Sequence, residues 1–545
     1  MAVENAKLSA LWDGTGKLVA SDNLLAIVRN HADSALGEKY LSDDLVTNGA
    51  SHSPGVGHHL TPALSSEAFG SDYRTALFEP GTPRSGAYCF PFRRSLINSL
   101  HQFQETPVMK PINVGLLGIG TVGGGTFTVL SRNQEEITRR AGRPIRIASV
   151  ADRNVELAKK VVGDKARITA DAFEVVRDPE IDIVVELIGG YGISRELVLE
   201  AIANGKHVVT ANKALLALHG NEIFAAAQKK GVMVAFEAAV AGGIPIIKAL
   251  REGLTANRIE WIAGIINGTT NYILTEMRDK GVSFETALKA AQELGYAEAD
   301  PTFDVEGVDA AHKLTIMSAI AFGIPMQFDK AYVEGISKLT REDIMYAEQL
   351  GYRIKLIGIT RRTPRGVELR VHPTLIPERR LIASVEGVMN AVLVKGDAVG
   401  HTLYYGRGAG AEPTASAVVA DLVDVTRMHT SDPEHRVPHL AFQADQVFEL
   451  PILSIGDVET SFYLRMQVFD RPGVLADVAR ILADHGISIE AMIQKEPPEG
   501  VDKASIILLT HKVLERNVVA AIERIEQLAT VDGAVTKIRL EELGN

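Results

Sequence analysis

The chain contains one cysteine, Cys89, and this scarcity limits both its chemistry and its compartment. A single cysteine cannot form an intrachain disulfide, nor can it supply a zinc site built from several thiolates. Proteins of reducing compartments typically lack disulfides. We therefore expect a cytoplasmic protein without intrachain disulfides or cysteine-based zinc sites.

Long apolar runs and an excess of positive charge are also missing. No stretch of about 18 consecutive apolar residues occurs, so no transmembrane helix and no membrane partner are predicted. The N-terminus has no basic leader followed by an apolar core, so no secretory signal is expected. The formal net charge of −11 disfavours a nucleic-acid partner, which would require a basic surface. The length of 545 residues is sufficient for three or four domains.

Residues 1–108 lack the sustained apolar periodicity found in the rest of the chain. They are rich in serine, histidine, asparagine, glycine and proline, as in the stretch 51–59. Such a composition predicts a weakly ordered extension. The adjacent His58 and His59 are better explained as a polar loop than as a metal site. A different composition begins at Met109, which we expect to be the functional start.

The segment after Met109 contains a nucleotide-binding pattern. Ile112 to Leu117 is typical of a buried strand, and helix-compatible residues follow the glycines. Glycines between a strand and a helix permit a tight turn and let a pyrophosphate approach the helix N-terminus closely. The predicted cofactor contacts are Gly118, Gly120, Thr121, Val122 and Gly123.

The end of the second predicted strand, 145–150, leaves the choice of cofactor open. Asp152 suits the ribose 2′-hydroxyl of NAD, because a carboxylate accepts hydrogen bonds from it. Arg153 can instead pair with the 2′-phosphate of NADP. Both residues stand where the adenosine ribose is normally bound, so neither cofactor is excluded.

Strands and helices alternate as far as residue 236, which predicts a parallel, doubly wound sheet. Ligands bind at the carboxyl ends of the strands in such sheets. Lys213 follows one strand end and is predicted to point into the crevice. Another strand end carries Glu237 within the glycine-rich segment 237–245. Its oxygens can bind a monovalent cation, although a tight turn with a helix cap explains the same pattern.

The segment 294–313 concentrates five carboxylates and one lysine. Its second half has helical periodicity, which places Asp309 and Lys313 four residues apart on one helix face. A lysine beside a carboxylate, near Glu298 and Asp304, suits proton transfer to a substrate that carries an amine. These residues alone also allow a solvated loop with a helix cap at Asp304 and a surface ion pair.

A separate small unit is predicted at the C-terminus. Residues 428–456 are polar and contain proline, as expected of a linker. Residues 457–545 then follow the order β-α-β-β-α-β, which is the split ferredoxin-like motif. This unit lacks a set of catalytic residues, and its fold by itself assigns no function.

Together these motifs resemble homoserine dehydrogenase, and the C-terminal unit resembles an ACT domain. The resemblance extends from Met109 to Leu540, so the N-terminal extension is its one departure. The motifs are GLLGIGTVG at 115–123, TANK at 210–213, EAAVAGGIP at 237–245, NGTTNYIL at 267–274, LGYAEADPTFDVEGVDAAHK at 294–313 and DRPGVL at 470–475. The implied architecture is a Rossmann-type nucleotide-binding domain (109–240), an α+β catalytic and dimerisation domain (241–427) and a ferredoxin-like ACT domain (457–545).

The resemblance implies NAD(P)H-dependent interconversion of L-aspartate 4-semialdehyde and L-homoserine, with NADP(H) preferred. This reaction belongs to threonine, methionine and isoleucine biosynthesis. Lys313 is then the proton donor to the aldehyde oxygen, and Asp309 is its catalytic partner. Glu298 and Asp304 hold the substrate, and Lys213 reaches both the cofactor and the reacting centre.

The same resemblance implies a sodium-like ion and further cofactor contacts. The implied ligands of the ion are Glu237, Val240, Gly242 and Ile244, and the residues implied to line the cofactor or ion region are Gly295 and Gly410. Threonine is the implied effector at the turn 470–475, and a dimerisation module without ligand is the alternative. A homo-oligomer, dimer or tetramer, is expected. A nucleotide-sensing regulator with an inactive dehydrogenase site is the remaining alternative function, and the intact Asp309 and Lys313 pair disfavours it.

Overall fold

Two β-sheets carry the core of residues 109–495 and 502–544, which are the residues described by the computed structural model. The predictions for residues 1–108, including Cys89 and the histidine pair, lie outside this part of the chain. Among the described residues, no helix is both long and apolar enough to cross a lipid bilayer.

The first sheet is parallel and has the strand order β3-β2-β1-β4-β5-β6. Its strands are β1 (Ile112–Leu117), β2 (Ile145–Ala151), β3 (Arg167–Thr169), β4 (Ile183–Glu186), β5 (His207–Thr210) and β6 (Val234–Ala235). Its helices are α1 (Thr121–Arg132), α2 (Gln134–Ala141), α3 (Val155–Val162), α4 (Ala172–Arg177), α5 (Ile193–Ala203) and α6 (Lys213–Lys230). This strand order is that of dinucleotide-binding, doubly wound proteins and confirms the predicted fold class. Strands β1, β4 and β5 are buried at every residue, which explains their apolar sequences.

The second sheet is mixed and contains eleven strands. Its main path is β12-β11-β7-β9-β10-β17-β13-β15-β14, while β8 pairs with β10 and β16 pairs with β13. The strands of the catalytic region are β7 (Ile259–Ile265), β8 (Tyr332–Val333), β9 (Tyr352–Thr363), β10 (Gly366–Pro377), β11 (Met389–Gly396) and β12 (Gly400–Arg407). Gly406 and Arg407 pair with β11 and end strand β12.

Helices of the catalytic region connect and cover this sheet. They are α7 (Ile246–Lys248), α8 (Gly268–Lys280), α9 (Phe284–Glu293), α10 (Thr302–Val305), α11 (Val308–Phe322), α12 (Arg341–Gln349) and α13 (Ala411–Met428). Helix α7 continues into the π-helical turn Ala249–Gly253, and short 3₁₀ turns occur at Glu237–Ala239, Phe328–Lys330 and Leu381–Ser384. Helix α13 returns to the first sheet and packs on α1, where Arg132 and Glu412 form a salt bridge of 2.8 Å. Helix α13 therefore lies beside the helix that follows the glycine fingerprint.

The C-terminal unit has the predicted ferredoxin-like order. Its elements are β13 (Glu459–Phe469), α14 (Val474–Asp484), β14 (Ile489–Gln494), β15 (Lys503–Thr510), β16 (Val513–Leu514), α15 (Glu515–Ile525) and β17 (Val531–Leu540). We expected this unit to stand apart, but β17 pairs in parallel with β10 at Thr374–Arg539 and Leu375–Leu540. This pairing joins the strands of both regions into the one eleven-stranded sheet and covers the edge of β10 at these residues.

The segment 428–456, predicted to be a linker, contains the 3₁₀ turns Pro433–His435 and Ala444–Gln446. Within it, the half-buried His439 accepts a hydrogen bond of 3.0 Å from the amide of Val234 and stacks on Phe224. This segment is therefore packed against the first sheet.

Candidate active site

Helix α11 presents Asp309 and Lys313 to the interior of the catalytic region. The helix begins after Gly307, whose φ of 84° is a left-handed conformation that glycine adopts readily. Asp309 is only 3% exposed, and Lys313 Nζ donates to Asp309 Oδ2 at 2.7 Å. The alternative of a surface ion pair with a helix cap at Asp304 is therefore wrong, because the pair is buried and Asp304 lies inside helix α10.

Two acceptors fix the ammonium group of Lys313. Besides Asp309, the carbonyl oxygen of Ile266 accepts a hydrogen bond of 2.7 Å from Nζ. This carbonyl lies just beyond the end of β7, so a rigid strand sets its position. A lysine ammonium has three N–H bonds, and one of them remains for a further acceptor.

Lys213 approaches the same carboxylate from the first sheet. It is the first residue of α6, and its Nζ lies 3.2 Å from Asp309 Oδ1. Burial alone raises the pKa of Asp309, but the charges of Lys313 and Lys213 hold this pKa well below its usual value. A single buried carboxylate thus keeps two ammonium groups together at the junction of the two sheets.

Asn267 completes this cluster and was not among the predicted site residues. Its Nδ2 donates to Asp304 Oδ1 at 2.7 Å and to Asp309 Oδ2 at 2.9 Å. Its Oδ1 accepts from the amide of Thr270 at the start of α8, which fixes the orientation of the side-chain amide. The sequence did contain one signal for this residue, because Asn267 follows the carboxyl end of β7 and is the N-cap of α8.

Asp304 and Glu298 differ in how close they come to this cluster. Burial raises the pKa of Asp304, and the charge of Asp309 raises it further. A cation beside this carboxylate would therefore be stabilised strongly. Glu298 is exposed, and its backbone oxygen accepts a hydrogen bond of 3.1 Å from Gln292. No side-chain hydrogen bond joins Glu298 to another described residue of the cluster.

The glycine fingerprint forms the tight turn that its sequence predicts. Gly118 has a φ of 92°, and a Cβ on Gly123 would lie 2.0 Å from the Gly118 carbonyl oxygen. Helix α1 begins at Thr121, with Val122 in its first turn. Gly410 is the N-cap residue of α13, the helix that packs on α1. The turn and the first residues of α1 present backbone amides suited to phosphate groups.

The residues after β2 are not equivalent. Asp152 Oδ2 accepts from the amide of Ile119 at 2.7 Å, and Oδ1 accepts from the amide of Asn154 at 2.7 Å. Both carboxylate oxygens therefore hold the local backbone. Arg153 is exposed and remains available to a ligand.

Glu237 and the turn after it form a second buried feature. Its carboxylate accepts from the amides of Ile247 and Lys248 at 2.8 Å each, and burial raises its pKa to about 6. In this respect Glu237 is a helix cap, one of the two interpretations of its sequence. Among the described residues, neither the Val240 nor the Gly242 carbonyl oxygen accepts a hydrogen bond, although both residues are buried.

Carbonyl oxygens without a hydrogen-bond donor are suitable ligands for a hard cation, whereas the Ile244 carbonyl oxygen already accepts from the amide of Ile246 at 2.8 Å. The chain turns sharply here, with φ of 54° at Ala241 and 52° at Gly242. In the described part of the chain, no group of three histidine, cysteine, aspartate or glutamate side chains is arranged to hold a metal. The donor set therefore fits a cation bound mainly by backbone oxygens.

Three parts of the chain match family models. Residues 118–237 match the homoserine dehydrogenase NAD-binding domain, residues 245–423 match homoserine dehydrogenase, and residues 462–530 match the ACT domain. The homoserine dehydrogenase of Pseudomonas aeruginosa is 65% identical over 435 residues, which cover 80% of this chain and 100% of that protein. That of Neisseria gonorrhoeae is 60% identical over the same number of residues and with the same coverage.

Solved structures agree with these matches. The structure of a homoserine dehydrogenase from Thiobacillus denitrificans is 72% identical, with a TM-score of 0.77, and the match covers 80% of this chain and 99% of that one. A hyperthermophilic archaeal homoserine dehydrogenase in complex with NADPH is 26% identical, with a TM-score of 0.51, and the match covers 58% of this chain and 98% of that one.

Proposed function

Since the chain belongs to the homoserine dehydrogenase family and is an oxidoreductase with a nicotinamide-nucleotide-binding domain, we propose that Lys313 donates the proton to the aldehyde oxygen of L-aspartate 4-semialdehyde. Asp309 is its catalytic partner, and Lys213 reaches the cofactor and the reacting centre. One observation carries this assignment: Asp309 is buried and holds both ammonium groups within 3.2 Å. The same pair disfavours a nucleotide-sensing regulator with an inactive site.

The mechanism follows from the hydrogen bonds of Lys313. The bound nicotinamide cofactor supplies the hydride that reduces the aldehyde carbon. Negative charge grows on the aldehyde oxygen, and a fixed ammonium stabilises it before transferring a proton. Lys313 is suited to this because Asp309 and the Ile266 carbonyl use two of its N–H bonds and leave the third. In the reverse direction, the neutral amine of Lys313 accepts the hydroxyl proton of homoserine.

We propose that Asp304 and Glu298 hold the amino group of the substrate. An ammonium beside Asp304 offsets the cost of its burial, which raises the pKa of this carboxyl in the unliganded protein. Glu298 lies on the exposed loop before α10, and the family resemblance supports its role.

Asp304→Asn is expected to raise the KM for aspartate semialdehyde by about 10- to 100-fold, the effect of losing a charge-assisted hydrogen bond. NADPH affinity should stay unchanged, because the Asp304 carboxylate is hydrogen-bonded to Asn267 and to no residue of the fingerprint 118–123. Initial rates at varied semialdehyde and varied NADPH concentrations separate the two effects. Glu298→Gln should act in the same direction but less strongly, because its side chain is more exposed. A defect confined to NADPH binding would refute both roles.

We propose that NADP(H) is preferred and that NAD(H) is a weaker cofactor. Arg153 is free to pair with the 2′-phosphate, whereas both carboxylate oxygens of Asp152 already accept hydrogen bonds from backbone amides.

A sodium ion at the turn 240–244 would be held by the carbonyl oxygens of Val240, Gly242 and Ile244. It would stabilise the turn, and the charge of Glu237 would favour its binding.

We propose further that the ACT domain binds threonine at the turn 470–475 and that the enzyme is a cytoplasmic homo-oligomer, a dimer or tetramer. The turn contains Gly473, with φ of 97°, at the N-cap of α14. The left-handed glycine permits the chain to turn sharply into the helix, and its backbone amides are available to the carboxylate of an amino acid. The chain has one cysteine, which supports a reducing compartment.

NADPH oxidation with aspartate semialdehyde, followed by absorbance with and without threonine, tests these proposals. We expect turnover that threonine suppresses. Turnover that threonine leaves unchanged would refute the effector but not the enzyme. No turnover with NADPH or NADH in folded protein would refute the catalytic role of Lys313 and favour the regulator.

A further inference from the structure

An ionic cluster lies at the seam between the two domains, where strand β10 of the catalytic region meets strand β17 of the ACT domain. Its members are Tyr332, Glu334, Glu515, Lys537 and Arg539. We propose that Glu334 is a positioning residue for the substrate-binding Asp304, and that Arg539 of the ACT domain holds Glu334 in place. This inference rests on the proposed role of Asp304.

Arg539 is the anchor of the cluster. It is fully buried, and its Nε donates to Glu515 Oε2 at 2.7 Å while its Nη1 donates to Glu334 Oε2 at 2.8 Å. Burial disfavours its charge, but Glu515 and Glu334 more than compensate and raise its pKa above the usual value. Arg539 therefore remains charged and has a carboxylate partner on each side of the seam.

Glu334 is held from several directions. Tyr332 donates its hydroxyl hydrogen to Glu334 Oε2 at 2.7 Å, and burial raises the pKa of Tyr332 to about 12, so that it remains a donor. The backbone amide of Glu334 donates to the Val371 carbonyl in β10 at 2.9 Å. Side chain and backbone of this one residue are thus both fixed to the seam.

The residues after Glu334 contact helix α10, which carries Asp304. Two residues later, the amide of the fully buried Ile336 donates to the Val305 carbonyl oxygen at 2.9 Å. Between them, a Cβ on Gly335 would lie 2.5 Å from the same Val305 oxygen and 2.5 Å from Glu306 Cα. The two segments are therefore in contact without space for even a methyl group, and a shift of one displaces the other.

Val305 is the neighbour of Asp304 in helix α10, and Asp304 is joined through Asn267 to Asp309. The cluster at the seam is thus connected to the Asp304 carboxylate through the hydrogen bond between Ile336 and Val305 and through Val305 itself. The nucleotide fingerprint lies in the other sheet and shares none of these contacts. Loss of the Glu334 side chain should therefore weaken substrate binding and leave cofactor binding unchanged.

The seam also provides a matched control. Arg465 of the ACT domain donates to Glu342 at 3.3 Å and to Asp343 at 2.6 Å at the start of α12. Removal of Glu342 leaves Arg465 paired with Asp343, just as removal of Glu334 leaves Arg539 paired with Glu515. Among the described residues, Glu342 makes no hydrogen bond or salt bridge to the segment 302–307, so that the control separates positioning from a general loosening of the seam.

The full chain with Glu334→Ala is expected to show a KM for aspartate semialdehyde raised about fivefold or more, a kcat changed less than about twofold, and unchanged NADPH affinity. Glu334→Gln should recover most of the loss, because its amide oxygen still accepts from Tyr332 and Arg539. Glu342→Ala should have the KM of the unmodified enzyme. An unchanged KM in Glu334→Ala, or equal losses in both alanine variants, would overturn the inference.

Amide hydrogen exchange gives a second readout that does not need turnover. The peptide covering residues 302–307 should exchange faster in Glu334→Ala than in the unmodified chain, and at the unmodified rate in Glu342→Ala. If the unmodified chain does not reduce the semialdehyde, the proposed function fails, but faster exchange in Glu334→Ala alone still supports the positioning role. Equal exchange in all three proteins would refute it.

Discussion

Replacing Lys313 with methionine is expected to lower kcat by about 10²–10⁴-fold, the range typical of a lost general acid. Methionine keeps the length of the side chain, so that the surrounding core is disturbed little. Asp309 retains Lys213 and Asn267 as partners and is not left unpaired. NADPH affinity should be unchanged, because Lys313 does not belong to the nucleotide-binding sheet. Steady-state turnover and NADPH binding by fluorescence check the two parts of this expectation.

A lysine elsewhere in the same region serves as the control for this experiment. Lys280 forms a salt bridge with Glu276 at the same four-residue spacing, but its side chain is 62% exposed. Lys280→Met should leave kcat within about twofold, because exposed ion pairs contribute little. A kcat for Lys313→Met within tenfold of the unmodified enzyme would contradict the role of Lys313 as proton donor.

Local sequence patterns predicted the elements that carry the site. The strand, glycines and helix at 112–132 formed as expected, because their conformation is set by neighbouring residues. The helical periodicity after residue 307 likewise placed Asp309 and Lys313 on one face. The order of strands and helices also predicted the ferredoxin-like C-terminal unit. In each case the information lies within a few turns or strands of the chain.

Contacts between distant parts of the chain were not predictable in the same way. Asn267 is 42 residues from Asp309, and its amide has no pattern that identifies its partner. Nor did the sequence indicate that Asp309 would be buried, because burial depends on the sheet that covers the first turn of α11. The pairing of β10 with β17 is a further example, since an open strand edge can accept many partners.

The segment that begins at Glu237 is a further case in which sequence alone left two interpretations open. A glycine-rich segment after a carboxylate predicts either a cation site or a helix cap, and the carboxylate is seen to cap the helix. The unpaired carbonyl oxygens of Val240 and Gly242 support the cation separately. Sequence could not distinguish these functions, because one belongs to the side chain and the other to the backbone.

Asp309→Asn is expected to have the largest effect on stability among the changes at the active site, and to reduce kcat as well. Asp309 is the shared partner of Lys313, Lys213 and Asn267, so its loss leaves two ammonium groups facing each other. Removing one member of a buried ion pair typically costs about 3–5 kcal/mol. Turnover should fall because the ammonium of Lys313 loses the acceptor that orients it.

The pH dependence of this loss follows from the lowered pKa of Asp309. A carboxyl whose pKa is depressed by folding stabilises the folded state above its unfolded pKa of about 3.9, and this contribution is lost as the pH falls further. The difference in thermal midpoint between the unmodified chain and Asp309→Asn should therefore be full at neutral pH and shrink below about pH 4. Glu136→Gln, at the exposed pair with Arg140 on helix α2, should show almost no difference at either pH.

The double variant Asp309→Asn with Lys313→Met distinguishes a buried charge from a packing defect. If the cost of Asp309→Asn arises from the unpaired ammonium of Lys313, then removing that ammonium restores part of the thermal midpoint. The two changes should consequently be non-additive, with a double variant more stable than the sum of the single losses predicts. Additive losses would indicate that Asp309 stabilises the helix through packing and Asn267 alone. Turnover should remain low in the double variant, because the proton donor is absent, whichever way its stability changes.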